Sequence, residues 1–266
     1  MPSHPTRRCL FCESPLLRGG TREHVFPQWL LEHLDLRRTP ISPTHFSPKG
    51  LVVSTRRQTL AGMREGRVCH DCNTGWMSRL EGEAMPLLIP LLSGERTVIS
   101  LTLSERDIVA RWAVKTVCVL NTASNYRRTV SSEHFRAVRE GRFQPGMGVF
   151  SQQHYSTRDF YWMQGAAWSA PATSATTRRR YEELAAGSFK TSLQFKALLL
   201  LVAYWPDVHW RFLLRKGIHI PLWPHQGPCG WYETTEEFPW RDSVLAIACF
   251  HATLQIVHDR TLGVKR

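Results

Sequence analysis

Two cysteine pairs carry the strongest chemical signal in this chain: Cys9-Leu10-Phe11-Cys12 and Cys69-His70-Asp71-Cys72. In each pair a tight turn can aim two thiolates at one ion. Two such turns complete a tetrahedral four-sulfur zinc site. Between the pairs lies Glu23-His24, an acid next to an imidazole, and Asn73 follows the last cysteine directly. An imidazole titrating near about 6.5 can take a proton from water at neutral pH. Glu23 and Asn73 offer hard oxygens suited to Mg²⁺ or Mn²⁺. These residue types in this order point to a catalytic metal site built onto a structural one.

The surrounding sequence must position those groups. Leu16 to Gly20 reads as a short strand ending in a Gly-Gly turn, with Thr21 to Phe26 returning and Pro27 stopping it. Gln28 to Leu36 predicts a short helix with Trp29, Leu30 and Leu34 inward. Residues 37–60 predict a long basic loop, with a strand at Leu51-Val52-Val53. A helix is expected from Asn73 to Ala84, broken by Pro86 and Pro90. At its start Asn73 could equally be an N-cap. Ser93-Gly94 is the expected boundary between a domain at 1–94 and a second at 95–266.

The second domain opens on the alternation Thr97 to Leu103, which predicts a strand. Ser104 with Asp107 then reads as a cap for a long helix, Glu105 to Thr122, and a shorter one follows at Ser132 to Glu140. Within the long helix, Trp112 reads as core and Lys115 as a side chain snorkelling to water. Strands are expected at Gly148–Gln152, Phe160–Ser169, Lys190–Trp205, Arg211–Leu214 and Ile218–Ile220. Ala170 to Arg180 reads as an exposed loop and Ser243 to Val257 as a closing helix. The fold class is therefore α+β: a small zinc-stapled ββα unit, then a larger domain with one long helix and mainly antiparallel strands.

The formal net charge is +12 over 266 residues. A basic surface favours a polyanion such as nucleic acid. The longest uninterrupted apolar run, Ala197 to Trp205, is too short to span a bilayer, and paired cysteines used as ligands fit the cytoplasm. Candidate phosphate contacts are Arg22, Arg56, Arg57, Arg64 and Arg67.

The string CxxC, then acid–His–hydrophobe–x–Pro, then CxxC-Asn resembles the zinc-knuckle branch of the HNH (His-Me finger) nucleases, over roughly residues 9–85. The resemblance implies a ββα-metal core, with His24 as general base and Glu23 and Asn73 as ligands of a catalytic Mg²⁺ or Mn²⁺. Cys9, Cys12, Cys69 and Cys72 would hold structural zinc. The implied activity is hydrolysis of DNA, more than RNA, leaving 5′-phosphate and 3′-hydroxyl ends, in bacterial or phage restriction or defence. One departure stands out: Gly62 to Val68 lacks the Asn that the family usually keeps before its second knuckle. The alternative is a nucleic-acid-binding protein with an inactive HNH core. Residues 95–266 would choose the substrate or dock a protein partner or a second copy.

Overall fold

The computed structural model describes residues 7–16, 20–47, 51–124, 128–153, 160–165, 175–215, 218–224, 231–234 and 246–258. The chain divides into two compact units, residues 1–85 with 115–142 and residues 86–114 with 143–266. Ser93-Gly94 is thus not where the units part. The divisions fall inside two long helices and just before Phe143.

In the first unit β1 (Thr21–His24) leads into α1 (Gln28–His33), whose Leu30 and Leu31 are fully buried. Four short strands follow: β2 (Pro40–Ile41), β3 (Thr44–Phe46), β4 (Val52–Thr55) and β5 (Gln58–Thr59). They pair as β2 with β5 and β3 with β4, so the expected loop is a pair of small ribbons. The next strand, β6 (Arg64–Val68), is the antiparallel partner of β1. The sequence reading paired β1 with Leu16 to Gly20 instead; Leu17 to Gly19 lie outside the described residues. Gly20 has a different task from turning the chain. A Cβ placed there would lie 1.9 Å from the carbonyl oxygen of Gly66, so the backbones approach too closely for a side chain.

A short helix α2 (His70–Cys72) passes through a π-type turn, Asn73–Met77, into α3 (Ser78–Ser93), with non-helical torsions at Gly75. The expected break at Pro86 and Pro90 does not occur. Each interior proline costs about 3 kcal/mol. Leu80, Ala84, Leu88, Leu91 and Leu92 are all buried along the helix, and each large one stabilises it by about 1.5–3 kcal/mol.

Thr97 to Leu103 forms no strand. A 3₁₀ turn at Val98–Ser100 leads into α4 (Leu103–Ala123), buried on most sides. Its cap is Thr102 with Glu105, not Ser104 with Asp107: the Glu105 amide donates to Thr102 Oγ1 at 3.3 Å and the Thr102 amide to Glu105 at 2.8 Å. The expected helix after it is α5 (Ser132–Arg139).

The second unit holds β7 (Met147–Gln153), β8 (Phe160–Gly165), α6 (Ala175–Ala185), β9 (Phe189–Phe195), β10 (Leu198–Tyr204), β11 (Trp210–Arg215), β12 (Ile220–Trp223), β13 (Trp231–Thr234), α7 (Ala246–Thr253) and β14 (Gln255–His258). Five strands form an antiparallel sheet in the order β12-β7-β10-β9-β8, and three form a second sheet, β13-β11-β14. Arg178 to Arg180 belong to α6 rather than to a loop. The closing segment is part helix and part strand. Phe150, Leu199, Leu201, Trp205, Phe212, Phe250 and Ile256 share one core. The apolar run at 197–205 is mostly the buried strand β10. Among the described residues no helix is long and apolar enough to cross a membrane.

The two glycine environments give a direct test. Gly20→Ala should destabilise the protein by about 1–3 kcal/mol through overpacking in urea melts. Gly82→Ala, an exposed α3 position with open space around its Cβ, should stabilise it by about 0.5–1 kcal/mol.

Candidate metal centre and active site

The sulfurs of Cys9, Cys12, Cys69 and Cys72 all lie within 4.8 Å of one another. The first knuckle closes through the Glu13 amide on the Cys9 carbonyl (3.0 Å) and the Cys9 amide on the Ser14 carbonyl (2.9 Å). The Leu10 amide donates to the Arg67 carbonyl at 2.9 Å, fastening that knuckle to β6. Cys69 comes directly after β6 and caps α2. Its amide donates to Cys9 Sγ at 3.3 Å, and the Cys72 amide donates to Cys69 Sγ at 3.4 Å. Phe11 is buried inside the first knuckle, 5.1 Å from Trp76 and 5.2 Å from Phe135 in edge-on contacts.

These donors fit zinc. Zn–S bonds of about 2.3 Å in a tetrahedron bring sulfurs under 4 Å apart, and Cys12 Sγ and Cys69 Sγ are already 3.5 Å apart. The electrostatics require a cation once the thiols ionise. Burial and the nearby Cys9 push the Cys72 thiol up. At Cys12 burial is outweighed by hydrogen bonds from Ser14 and the neighbouring cysteines, which bring it down to about 6. Four adjacent thiolates repel one another, so full ionisation needs a dication among them.

On the ribbon, Glu23 faces Glu65 and His24 faces Arg64 in register. The only shift in that register lies between Thr21 and Glu23, so Glu23 and His24 keep to opposite faces as strand alternation demands. Glu23 points inward and is 7% exposed; His24 is half-buried. Beneath Glu23 lies Lys115 of α4, fully buried. Its Nζ is 2.6 Å from Glu81 Oε1 and 3.6 Å from Glu23 Oε1. Lys115 is therefore the centre of an ion triad and does not snorkel. Burial alone would lower its pKa, but Glu81 and Glu23 outweigh that and raise it. Burial raises Glu23, against the pull of Lys115. Glu65, also inward, takes the Arg67 side chain at 3.1 Å; burial is outweighed by Arg67 and a hydrogen bond from Thr122, and its pKa is lowered.

No protein-family model, no curated protein and no solved structure matches this chain.

The outer face carries His24 with Arg64. Burial lowers the pKa of His24, the charges of Arg64 and Arg37 lower it further, and Glu81 opposes them. Arg22, Arg56 and Arg57 are exposed, whereas the Arg67 guanidinium is taken up by Glu65. Asn73 is half-buried at the start of the π-type turn, its amide donating to the Cys69 carbonyl at 3.1 Å. Among the described residues the cysteines form the one group of three or more Cys, His, Asp or Glu side chains converging on a point. A divalent ion does not fit at Glu23, because the carboxylate already faces a buried ammonium that would repel it.

Glu81, Glu65, Arg37 and the real position of Lys115 were missed from the sequence. The signal available was Lys115 itself, a charge flanked by Trp112, Val114 and Val117 on a helix face that has to be buried.

Two measurements check this site. Purified protein should hold one zinc per chain by metal analysis, and Cys72→Ser should lose it and melt the ribbon unit, since structural zinc supplies folding energy directly. Lys115→Met should cost about 3–5 kcal/mol at pH 7 by leaving buried carboxylates uncompensated. That deficit should shrink as pH falls, because protonation of Glu23, whose pKa is already raised, removes the unpaired charge.

Proposed function

We propose that this protein is an HNH-type endonuclease that hydrolyses DNA phosphodiester bonds with His24 as general base. The observation that carries the reading is His24 paired opposite Arg64 on a cysteine-stapled ribbon, with its basicity lowered by burial and by two guanidiniums. A neutral imidazole can accept a proton from water. The hydroxide equivalent attacks phosphorus, the bond to the 3′ oxygen breaks, and the leaving alkoxide takes a proton from solvent water to become a 3′-hydroxyl, while the proton on His24 is released to solvent. Arg64 suits the charge that grows on the phosphoryl oxygens, whereas Arg37 is paired with Glu32 at 2.7 Å. The net charge of +12 draws the polyanion in. No step runs through Mg²⁺ or Mn²⁺ at Glu23, whose carboxylate already faces the buried ammonium of Lys115. Asn73, expected as a ligand of that ion, stands at the start of the turn with its amide on the Cys69 carbonyl.

The second reading, a nucleic-acid-binding protein with an inactive core, has one observation in its favour: Glu23, the acid next to the base, is spent on Lys115.

Supercoiled plasmid incubated with Mg²⁺, with Mn²⁺ and with chelator decides between them. Wild type should nick, and His24→Ala should fall by about 10²–10⁴-fold. Equal nicking by both proteins, or retention of plasmid without nicking under every condition, overturns the nuclease reading. The acid limb of the rate profile should lie below about 6.5, the ordinary histidine value. Arg64→Gln should move that limb upward, since removing a positive neighbour makes His24 easier to protonate.

A further inference from the structure

The segment between the two strands of the catalytic ribbon has a use of its own. From Leu36 to Arg64 it holds six Arg or Lys and no Asp or Glu. Inside it, β3 and β4 form a hairpin in register Thr44↔Thr55, His45↔Ser54 and Phe46↔Val52. The Ser47 amide donates to the Leu51 carbonyl at 2.8 Å. Apart from half-buried His45, the described residues of both strands are exposed. Phe46 is 59% exposed, Leu51 67%, Val52 62% and Val53 68%. A lone two-stranded ribbon is marginal in water, and four large apolar side chains at its end need cover.

Charge selects the occupant. A second copy of this chain would bring its own acid-free basic segment against the first, and the two would repel. A nucleic-acid duplex offers phosphates for the cations and base edges for the apolar groups. Proteins that insert apolar wedges between base steps place Arg and Lys beside them in this way. Topology selects the location. The segment departs after His24, at the end of β1, and returns at Arg64, at the start of β6. Both ends of the segment are therefore rooted at the His24–Arg64 pair.

We propose that the β3–β4 hairpin is a DNA-gripping arm: Phe46, Leu51, Val52 and Val53 wedge into a groove of the duplex while Arg56 and Arg57 hold its phosphates. This rests on the reading that His24 faces nucleic acid, and it adds that the substrate is double-stranded and is deformed on binding.

The test uses the full-length His24→Ala protein, so that binding is measured without cleavage. The probe is a duplex carrying 2-aminopurine, which brightens on unstacking. The arm protein should bind and raise the fluorescence. Adding Phe46→Ser, Val52→Ser and Val53→Ser should abolish the rise and weaken binding at least tenfold, with the melting temperature unchanged. Arg56→Gln with Arg57→Gln should instead flatten the dependence of binding on salt by about two phosphate contacts. Unchanged affinity and fluorescence in the serine variant overturn the proposal. So does binding of anionic vesicles with no binding of duplex, or a dimer that the serine variant splits while DNA binding persists. If the arm passes while wild-type protein fails to nick plasmid, the arm stands and the nuclease reading falls.

Discussion

The convergence of four sulfurs is the constraint on which the ribbon depends. Two short strands and a helix bury too little surface to hold their own geometry. The first cysteine pair precedes β1, and the second joins the end of β6 to the start of α2, with 56 residues between Cys12 and Cys69. Closing a loop of that length by chance is costly in entropy. An ion held by the four sulfurs would fix it once, beside the β1–β6 pairing. The aromatic contacts of Phe11 with Trp76 and Phe135 then seal the knuckle against the helices.

Strand alternation divides the labour on that ribbon. The inner face takes the carboxylates of Glu23 and Glu65, which sit opposite each other and would repel. Each has its own compensation, Lys115 under Glu23 and Arg67 with Thr122 beside Glu65. The outer face takes His24 and Arg64. An adjacent acid and histidine in the sequence thus end in different environments, one neutralised inside and one poised outside. Lys190 in the second unit repeats the inner device. Its buried ammonium donates to the carbonyls of His251 and Leu254 at 2.9 and 3.2 Å, at the end of α7, and burial lowers it to about 8.

What could be read from the sequence followed local rules. The cysteine spacing, α1, α4, α5, β7 and β8 rest on short-range patterns and lie close to where those patterns put them, but the single strand expected at Lys190–Trp205 is two, β9 and β10, paired antiparallel about a turn at Lys196, whose φ is 48°. The errors came from longer-range competition. The partner of β1 is separated from it by about forty residues, so the nearer Leu16 to Gly20 looked more plausible. Prolines at 86 and 90 are breakers by local rule but lie in a helix whose apolar face is deeply buried. The alternation from Thr97 to Leu103 is overridden by the Thr102–Glu105 cap. The role of Lys115 depends on which carboxylates the fold brings to it, which no window around residue 115 contains.

The last half of α4 belongs with the ribbon, although it comes after almost thirty residues assigned to the other unit. A fragment ending at Ser93 would keep the four clustered cysteines and His24 yet lose the ammonium that sits under Glu23 and Glu81. The ribbon is consequently not a cassette. Gene fusions or shuffling that carry away only the cysteine-bounded stretch would transplant a motif with its floor missing, and inheritance of this arrangement has to proceed with the long helix attached.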